Sequence, residues 1–308
     1  MPDFIPLFTS PEGEAVVIRD YQAILDQWPI PHQELTVSTS FGDTYVIASG
    51  PEDAPPVVLL HAFFATATSW YRNVEALSQS HRVYAVDIIG EANRSRACKP
   101  IKSMDDFLRW FTELIDGLGI DTLYLVGNSY GGFTGAYYAM KLPERVRKLV
   151  LIGPAATIHS MPAFYFHMFI PKMLYILFPK LPGIKRAMRH SVDWMQNGLP
   201  PDPLWEPLFH DSLVHGLSIN QVFPRVYSME EFARIKAKVL LILGEKETIY
   251  KPQTAISAAR TLIPAVEVGL IPNAHHITAL AQPELVNQRL LQFFALVESE
   301  ERTIVEAI

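Results

Sequence analysis

"LYLVGNSYGGFTGAYYAM", residues 123–140, is the stretch on which the reading of the fold turns. Leu123, Tyr124, Leu125 and Val126 are strand formers, and the run stops at Gly127. A single serine, Ser129, follows, then Gly131 and Gly132. Beyond them apolar side chains recur every three or four residues, as they do on a helix. A strand that becomes a helix through one hydroxyl set among glycines crowds its own backbone. Glycine removes the Cβ atoms that would collide there.

The same alternation extends outward. "PVVLLH" (56–61), "HRVYAVD" (81–87), "DTLYLVGN" (121–128) and "RKLVLIG" (147–153) are short apolar runs, the pattern of strands buried on both faces. Between them "ATSWYRNVEALSQ" and "MDDFLRWFTELIDGL" carry helical patterns. Upstream, Ser10-Pro11-Glu12 opens a helix predicted to run to Trp28, where "PIPH" stops it. "ELTVST" and "DTYVIAS", on either side of Phe41-Gly42, predict an antiparallel hairpin. Strand–helix alternation implies right-handed crossovers and a mostly parallel sheet, here of eight strands, with helices on both faces. After Gly153-Pro154 the pattern breaks, and residues 155–229 are rich in aromatics, Met and Pro. The strand signal returns at "AKVLLILG" (237–244), followed by a helix, a strand at "AVEVGLI" and a final helix. The expected division is a first core part at 1–154, an inserted helical cap at 155–229 and a second core part at 230–308.

Composition narrows the function. Of 308 residues, 49% are hydrophobic and 19% charged, with 26 basic against 32 acidic side chains and a net charge of −6. No basic stripe offers itself to nucleic acid. The single cysteine, Cys98, cannot form an intrachain disulfide. "MPDFIPLFTSPEGE" lacks a basic segment followed by a long apolar run, so a cytoplasmic protein is expected. "MPAFYFHMFIPKMLYILF" (161–178) is the most apolar stretch, but Pro162, His167, Pro171 and Lys172 interrupt it. Spanning a bilayer takes about 20 mostly apolar residues. The stretch is expected to form a buried or interfacial helix pair, membrane contact is disfavoured, and a homodimer is left open.

Gly127-Asn128-Ser129-Tyr130-Gly131 matches G-x-S-x-G, the nucleophile elbow, in which a strained turn exposes the serine Oγ at a strand's carboxyl end. A serine hydroxyl attacks only when a base takes its proton. The elbow also demands an order along the chain, serine, then acid, then histidine. "LILGEKETIYKP" supplies Glu245 and Glu247, and "LIPNAHHITALAQPE" supplies His275 and His276. The second histidine stands where such enzymes carry their base, so His276 is expected to act. Glu245 follows Gly244 directly and stays with the strand end, whereas Glu247 can reach across the loop. The oxyanion formed on attack needs two N–H donors, expected from Tyr130, just after the nucleophile, and Phe63, in the loop after the third strand. His61 is expected to hold that loop, and Asp87 and Asp193 to be structural.

These residues resemble an α/β-hydrolase of the carboxylesterase group. "LLHAFF", "VYAVDIIGEANRS", "LVGNSYGG", "LGEKETIY" and "IPNAHH" together span most of the core and are similar to bacterial carboxylesterases of the naproxen-esterase type. The resemblance implies a glutamate acid, which favours Glu247. Two departures stand out. Ala62 replaces the usual glycine before the oxyanion loop and would strain it if that position required φ > 0, and His275 replaces the glycine before the base.

The expected function is hydrolysis of small to medium, fairly apolar carboxylic esters through an acyl-enzyme on Ser129. Phe63, Phe64, Phe166, Phe169 and Met173 are the expected substrate contacts. No cofactor and no metal is expected, since His210, Asp211 and His215 find no further ligand to complete a set. A carbon–carbon bond hydrolase of the same fold, a serine perhydrolase or haloperoxidase, and a slow-turnover ligand sensor are the alternatives.

Overall fold

The computed structural model describes residues 3–305, with side chains as far as residue 296. Strands β1 (His32–Thr39), β2 (Gly42–Ser49), β3 (Pro56–Leu60), β4 (Arg82–Val86), β5 (Arg96–Ala97), β6 (Leu123–Asn128), β7 (Val146–Ile152), β8 (Lys238–Gly244) and β9 (Glu267–Ile271) form one sheet. Eight of them lie in the order β1-β2-β4-β3-β6-β7-β8-β9, and the two-residue β5 adds to β2 as a ninth. The β1–β2 and β2–β4 pairs are antiparallel, and every pair from β4 to β9 is parallel.

Sequence pattern and position agree. In β6 every residue is buried, and β3, β7 and β8 are buried along nearly their whole length, as continuous apolar runs require. Edge strand β1 alternates between half-buried and exposed residues instead. Tyr124 and Leu125 separate the two faces. The Tyr124 ring stacks on Phe294 of α12 (Pro283–Val305), with centroids 4.8 Å apart. Leu125 packs against Gly135 of α4 (Tyr130–Lys141) on the other side. From β3 the chain crosses to β4 on one flank and later returns to β6 on the other. The carboxyl ends of β3 and β6 thus face a topological switch point, where open α/β sheets bind ligands.

Helix α1 (Pro11–Leu25) starts as expected, with the Ser10 hydroxyl accepting from the Gly13 N–H and proline in the first turn. It ends before Trp28, whose indole N–H donates to Ser49 Oγ. "ATSWYRNVEALSQ" is not one helix. It breaks into a 3₁₀ turn (Ala67–Trp70) and α2 (Val74–Ser78), because buried Asn73 turns its amide to Ala279 O and Asn287 Oδ1. Helix α3 (Met104–Gly117) buries Phe107, Trp110, Phe111, Leu114 and Ile115, the spacing of one helical face.

Between β7 and β8 lie α5 (Pro162–Phe164), α6 (Ile170–Leu177), α7 (Ile184–Gln196), α8 (Trp205–His215) and α9 (Met229–Phe232). After β8 come α10 (Pro252–Leu262) and α11 (Thr278–Ala281). Helices α5 and α6 form one nearly continuous run and not a pair, joined by a wide π turn at Tyr165–Phe169 in which the Ile170 N–H reaches back to Tyr165 O. Pro171 explains the widening, since its ring would clash with the carbonyl four residues earlier in an unbroken α-helix. The run buries Phe164, Met168 and Lys172 and exposes Phe166, Ile170, Met173 and Leu177. Among the described residues, no helix is long and apolar enough to cross a membrane.

Trp110, fully buried in α3, donates its indole N–H to Thr44 Oγ1 of β2 at 2.8 Å. Thr44→Val keeps the shape and orphans the donor. Urea unfolding should show a loss of about 1–3 kcal/mol, and an unchanged midpoint would mean that the bond contributes nothing net.

Candidate active site

The elbow is built as tightly as the glycines imply. Ser129 follows β6 with φ 50° and ψ −108°, a sparsely populated conformation for a residue with a side chain. Three backbone bonds hold it there: the Ser129 N–H donates to Ile152 O, and its carbonyl accepts from the N–H groups of Phe133 and Ala155. A Cβ on Gly127 would sit 2.2 Å from Gly131 O, and one on Gly131 would sit 2.3 Å from Leu60 O. Any larger residue would drive α4 off the end of the sheet.

Two later loops reach the serine. His276, after β9, brings its Nε2 to 3.0 Å from Ser129 Oγ. Its Nδ1 lies 2.9 and 3.0 Å from the two carboxylate oxygens of Glu247, which follows β8. The network assigns the proton to Nδ1 and leaves Nε2 to accept from the serine. Glu247 is fixed in turn by the N–H groups of Thr248 and Ile249, both donating to Oε1. All three side chains are buried. Glu245 is exposed and accepts from the Asn273 N–H, away from the histidine.

Helix α4 begins at Tyr130, so its first N–H has no partner within the helix. Among the described residues, the backbone N–H groups of Tyr130 and Phe63 make no hydrogen bond. The rings of these two residues stack with centroids 3.9 Å apart, which draws the two peptides together. The left-handed residue in the loop is Phe64, with φ 57°, and Ala62 is not. The expected strain at Ala62 is therefore absent, and alanine is tolerated there.

The comparisons with known proteins follow the geometry. Residues 55–197 match the family model described as "alpha/beta hydrolase fold". "Carboxylesterase YbfK" of Bacillus subtilis (strain 168) is 36% identical over 93% of this chain and 96% of its own. "Uncharacterized carboxylesterase nap" of the same organism is 34% identical over 90% and 91%. The chain belongs to the α/β-hydrolase family. The crystal structure of naproxen esterase (carboxylesterase NP) from B. subtilis superposes on the hydrolase with a TM-score of 0.83, at 32% identity, covering 92% of this chain and 99% of that one.

Beside the serine the hydrolase leaves a cavity of about 10 Å³ lined by Ala62, Ala65, Ser69, Trp70, Asn128, Trp205, Ile277 and Ala279. A cleft of about 330 Å³ opens outside it, walled by Arg72, Gln196, residues 199–203, His275 and Leu280. Trp205 lines both and stands between them. Sequence reasoning missed Trp205, which lies on a helix with no local signal of chemistry. It also placed Phe166 and Met173 at the substrate. Both point outward, 69% and 42% exposed, because the helical run turns Met168 and Lys172 to the core instead. Phe169 is half-buried and meets Phe223 edge-on, and Phe63 and Phe64 are half-buried in the loop after β3.

His61 holds that loop. Its Nε2 accepts from the Ile88 N–H, and its Nδ1 donates to Ala62 O. Asp87, buried, accepts from the N–H groups of Ala67 and Arg94, and burial pushes its carboxyl up to about 6. Asp193, on α7, pairs with Arg189 one turn earlier. His275 is buried with Nδ1 accepting from the Ile277 N–H.

Burial lowers both His61 and His275 to about 4, so both rings are neutral when folded and the unfolded chain takes up their protons first. The stability these histidines contribute is complete above pH 6.5 and drains as pH falls toward 4. His61→Asn removes one of the two groups and leaves the opposing buried carboxyls in place. Urea unfolding between pH 6.5 and 4.5 should then give a change of stability with pH that is lower than in wild type by about 1.4 kcal/mol per pH unit. Parallel slopes would show that His61 is not held neutral.

Proposed function

We propose that the hydrolase is a serine carboxylesterase with Ser129 as nucleophile, His276 as base and Glu247 as the acid that orients and stabilises the imidazolium. The observation that carries this reading is the unbroken line from the Ser129 hydroxyl through His276 to Glu247 at the switch point of the sheet. Identity to two carboxylesterases over nearly the whole chain supports the reaction class.

The chemistry follows from those contacts. His276 Nε2 takes the hydroxyl proton as Ser129 Oγ bonds to the ester carbonyl carbon. Negative charge moves to the carbonyl oxygen, and the N–H groups of Phe63 and Tyr130 receive it. The imidazolium then gives its proton to the departing alkoxide, leaving an acyl group on Ser129. Water, deprotonated by His276, reverses the sequence and releases the acid. Trp70, Trp205 and Ile277 line the cavity beside the reacting atoms, and Phe63 and Phe64 stand in the loop that carries one donor, apolar surfaces that suit a small to medium apolar ester. Residues 155–229 act as a cap in this reading, delivering Trp205 to the site from outside the sheet.

Turnover of p-nitrophenyl esters from acetate to palmitate tests the proposal. Wild type should hydrolyse short or medium chains, Ser129→Ala should fall to background, and Glu247→Gln should lose kcat on the order of 10³–10⁴-fold. A wild type inert on every chain length would remove the esterase reading.

A further inference from the structure

The insertion carries its polarity inside out. Along residues 162–177, from α5 through α6, the only Lys, Arg, Asp or Glu is Lys172. It turns inward, 5% exposed, and donates to Leu213 O at 2.6 Å and Gly216 O at 2.7 Å. Phe166, Ile170, Met173 and Leu177, spaced by four, three and four residues, form one outward stripe, with Leu177 60% exposed. Phe178 and Leu181 continue it past the end of α6. Phe223, 56% exposed, joins from a separate segment by meeting Phe169 edge-on. A surface helix in water keeps its apolar stripe toward the core and its charge outside. Single exposed apolar residues need no explanation, but a contiguous face of them marks a contact surface.

Charge beside this face narrows the partner. From residue 145 to residue 192 the chain holds no Asp or Glu, although the whole has 32 acidic against 26 basic residues. Lys180, just after α6, and Lys185 and Arg186, in the first turn of α7, are all exposed, and no acidic side chain shares that turn. A helix dipole disfavours cations at its amino-terminal end, so the two on α7 do nothing for the helix that carries them. We propose that this face docks on a membrane surface containing anionic phospholipid, the apolar stripe in the acyl boundary and Lys180, Lys185 and Arg186 at the headgroups. Anionic headgroups attract basic side chains that flank an apolar face, so such a surface answers both features. A second copy of the chain answers only one, because a two-fold contact brings the same basic residues from both sides and no acid from 145–192. The sequence disfavours membrane contact because the stretch is too broken to cross a bilayer, but lying along the surface takes no crossing. Helix α6 packs on α7 and α8, and α8 begins with Trp205, so the docked face lies one helix away from the cavity beside Ser129.

Sedimentation of the full chain with vesicles of phosphatidylcholine, alone or mixed with phosphatidylglycerol, tests the docking. Wild type should pellet with the mixed vesicles and stay in solution with the neutral ones. Raising salt from about 0.05 to about 0.5 M should weaken binding roughly tenfold or more, because screening shortens the reach of charge. Lys180→Gln, Lys185→Gln and Arg186→Gln together should lower the partition coefficient roughly 100-fold, about fivefold for each basic residue. Leu177→Ser with Leu181→Ser should lower it roughly tenfold. Circular dichroism identifies the variants that fold, and either set carries the test should the other fail to. Light scattering gives the mass of each in solution. Absence of wild type from the mixed vesicles, equal binding to both kinds, or binding that survives both sets of substitutions would overturn the proposal. A dimer that Leu177→Ser with Leu181→Ser dissociates, without vesicle binding, would assign the face to a second copy and overturn it too. Ser129→Ala should bind vesicles as wild type does, so the docking and the esterase reading stand or fall separately.

Discussion

The backbone contact between Gly131 and Leu60 governs the site more than any side chain does. Helix α4 starts so close to the end of β3 that a Cβ on Gly131 would lie 2.3 Å from Leu60 O, and the Gly131 N–H donates to His61 O across the same gap. That contact fixes where β6 ends relative to β3. Ser129 is thereby set beside the loop that carries Phe63, and the first free N–H of α4 faces the same space. His276 and Glu247 come from the neighbouring strand ends, where parallel pairing of β7, β8 and β9 brings them within reach. The strained serine is a consequence of this packing, and bonds to α4 and to the stretch at the end of β7 hold it in place.

Around the loop that follows β3 the hydrolase buries several ionisable groups. His61, Asp87, Glu91 and Lys172 are all buried; His61, Asp87 and Lys172 are tied to backbone amides or carbonyls, and Glu91 accepts from the Ser218 hydroxyl. Loops cannot saturate their own polar groups as helices and strands do, so side chains from the interior must supply the partners. Charged or ionisable groups are an expensive choice for that task, and burial displaces all four pKa values toward the neutral form. They persist where the backbone has to be held in one shape.

The legible part of the molecule was the part governed by local rules. Apolar runs on parallel strands, the Ser10 cap and the Phe41-Gly42 hairpin follow from spacing and turn chemistry, and the structure has them. Ser129, Glu247 and His276 could be named because the elbow demands both a local pattern and an order along the chain, and the structure brings them together. What failed depended on distant partners. Asn73 breaks a helix by bonding to residues more than two hundred positions away. Phe166 and Met173 are aromatic or flexible apolar residues in the expected place, but which face of a uniformly apolar helix turns inward is settled by what lies beneath it. Here that is Lys172, reaching the carbonyls at the end of α8. No periodicity rule would have selected a lysine as the inward residue.

The amino-terminal segment has a consequence for the order of assembly. Helix α1 packs against α8, Phe8 bridges to Gly216, and the Thr9 and Leu217 N–H groups donate to His215 and Leu7 carbonyls. During synthesis α1 emerges first, and its partner follows about 190 residues later. At the rates typical of ribosomes, roughly 5–20 residues per second, α1 waits on the order of 10–40 s with its docking face uncovered. Throughout that interval the face of α1 around Gly13, which meets the His215 side chain in the finished fold, stays uncovered. Such a window is one in which a chaperone or a neighbouring nascent chain competes for the same surface, and a faster ribosome would shorten it.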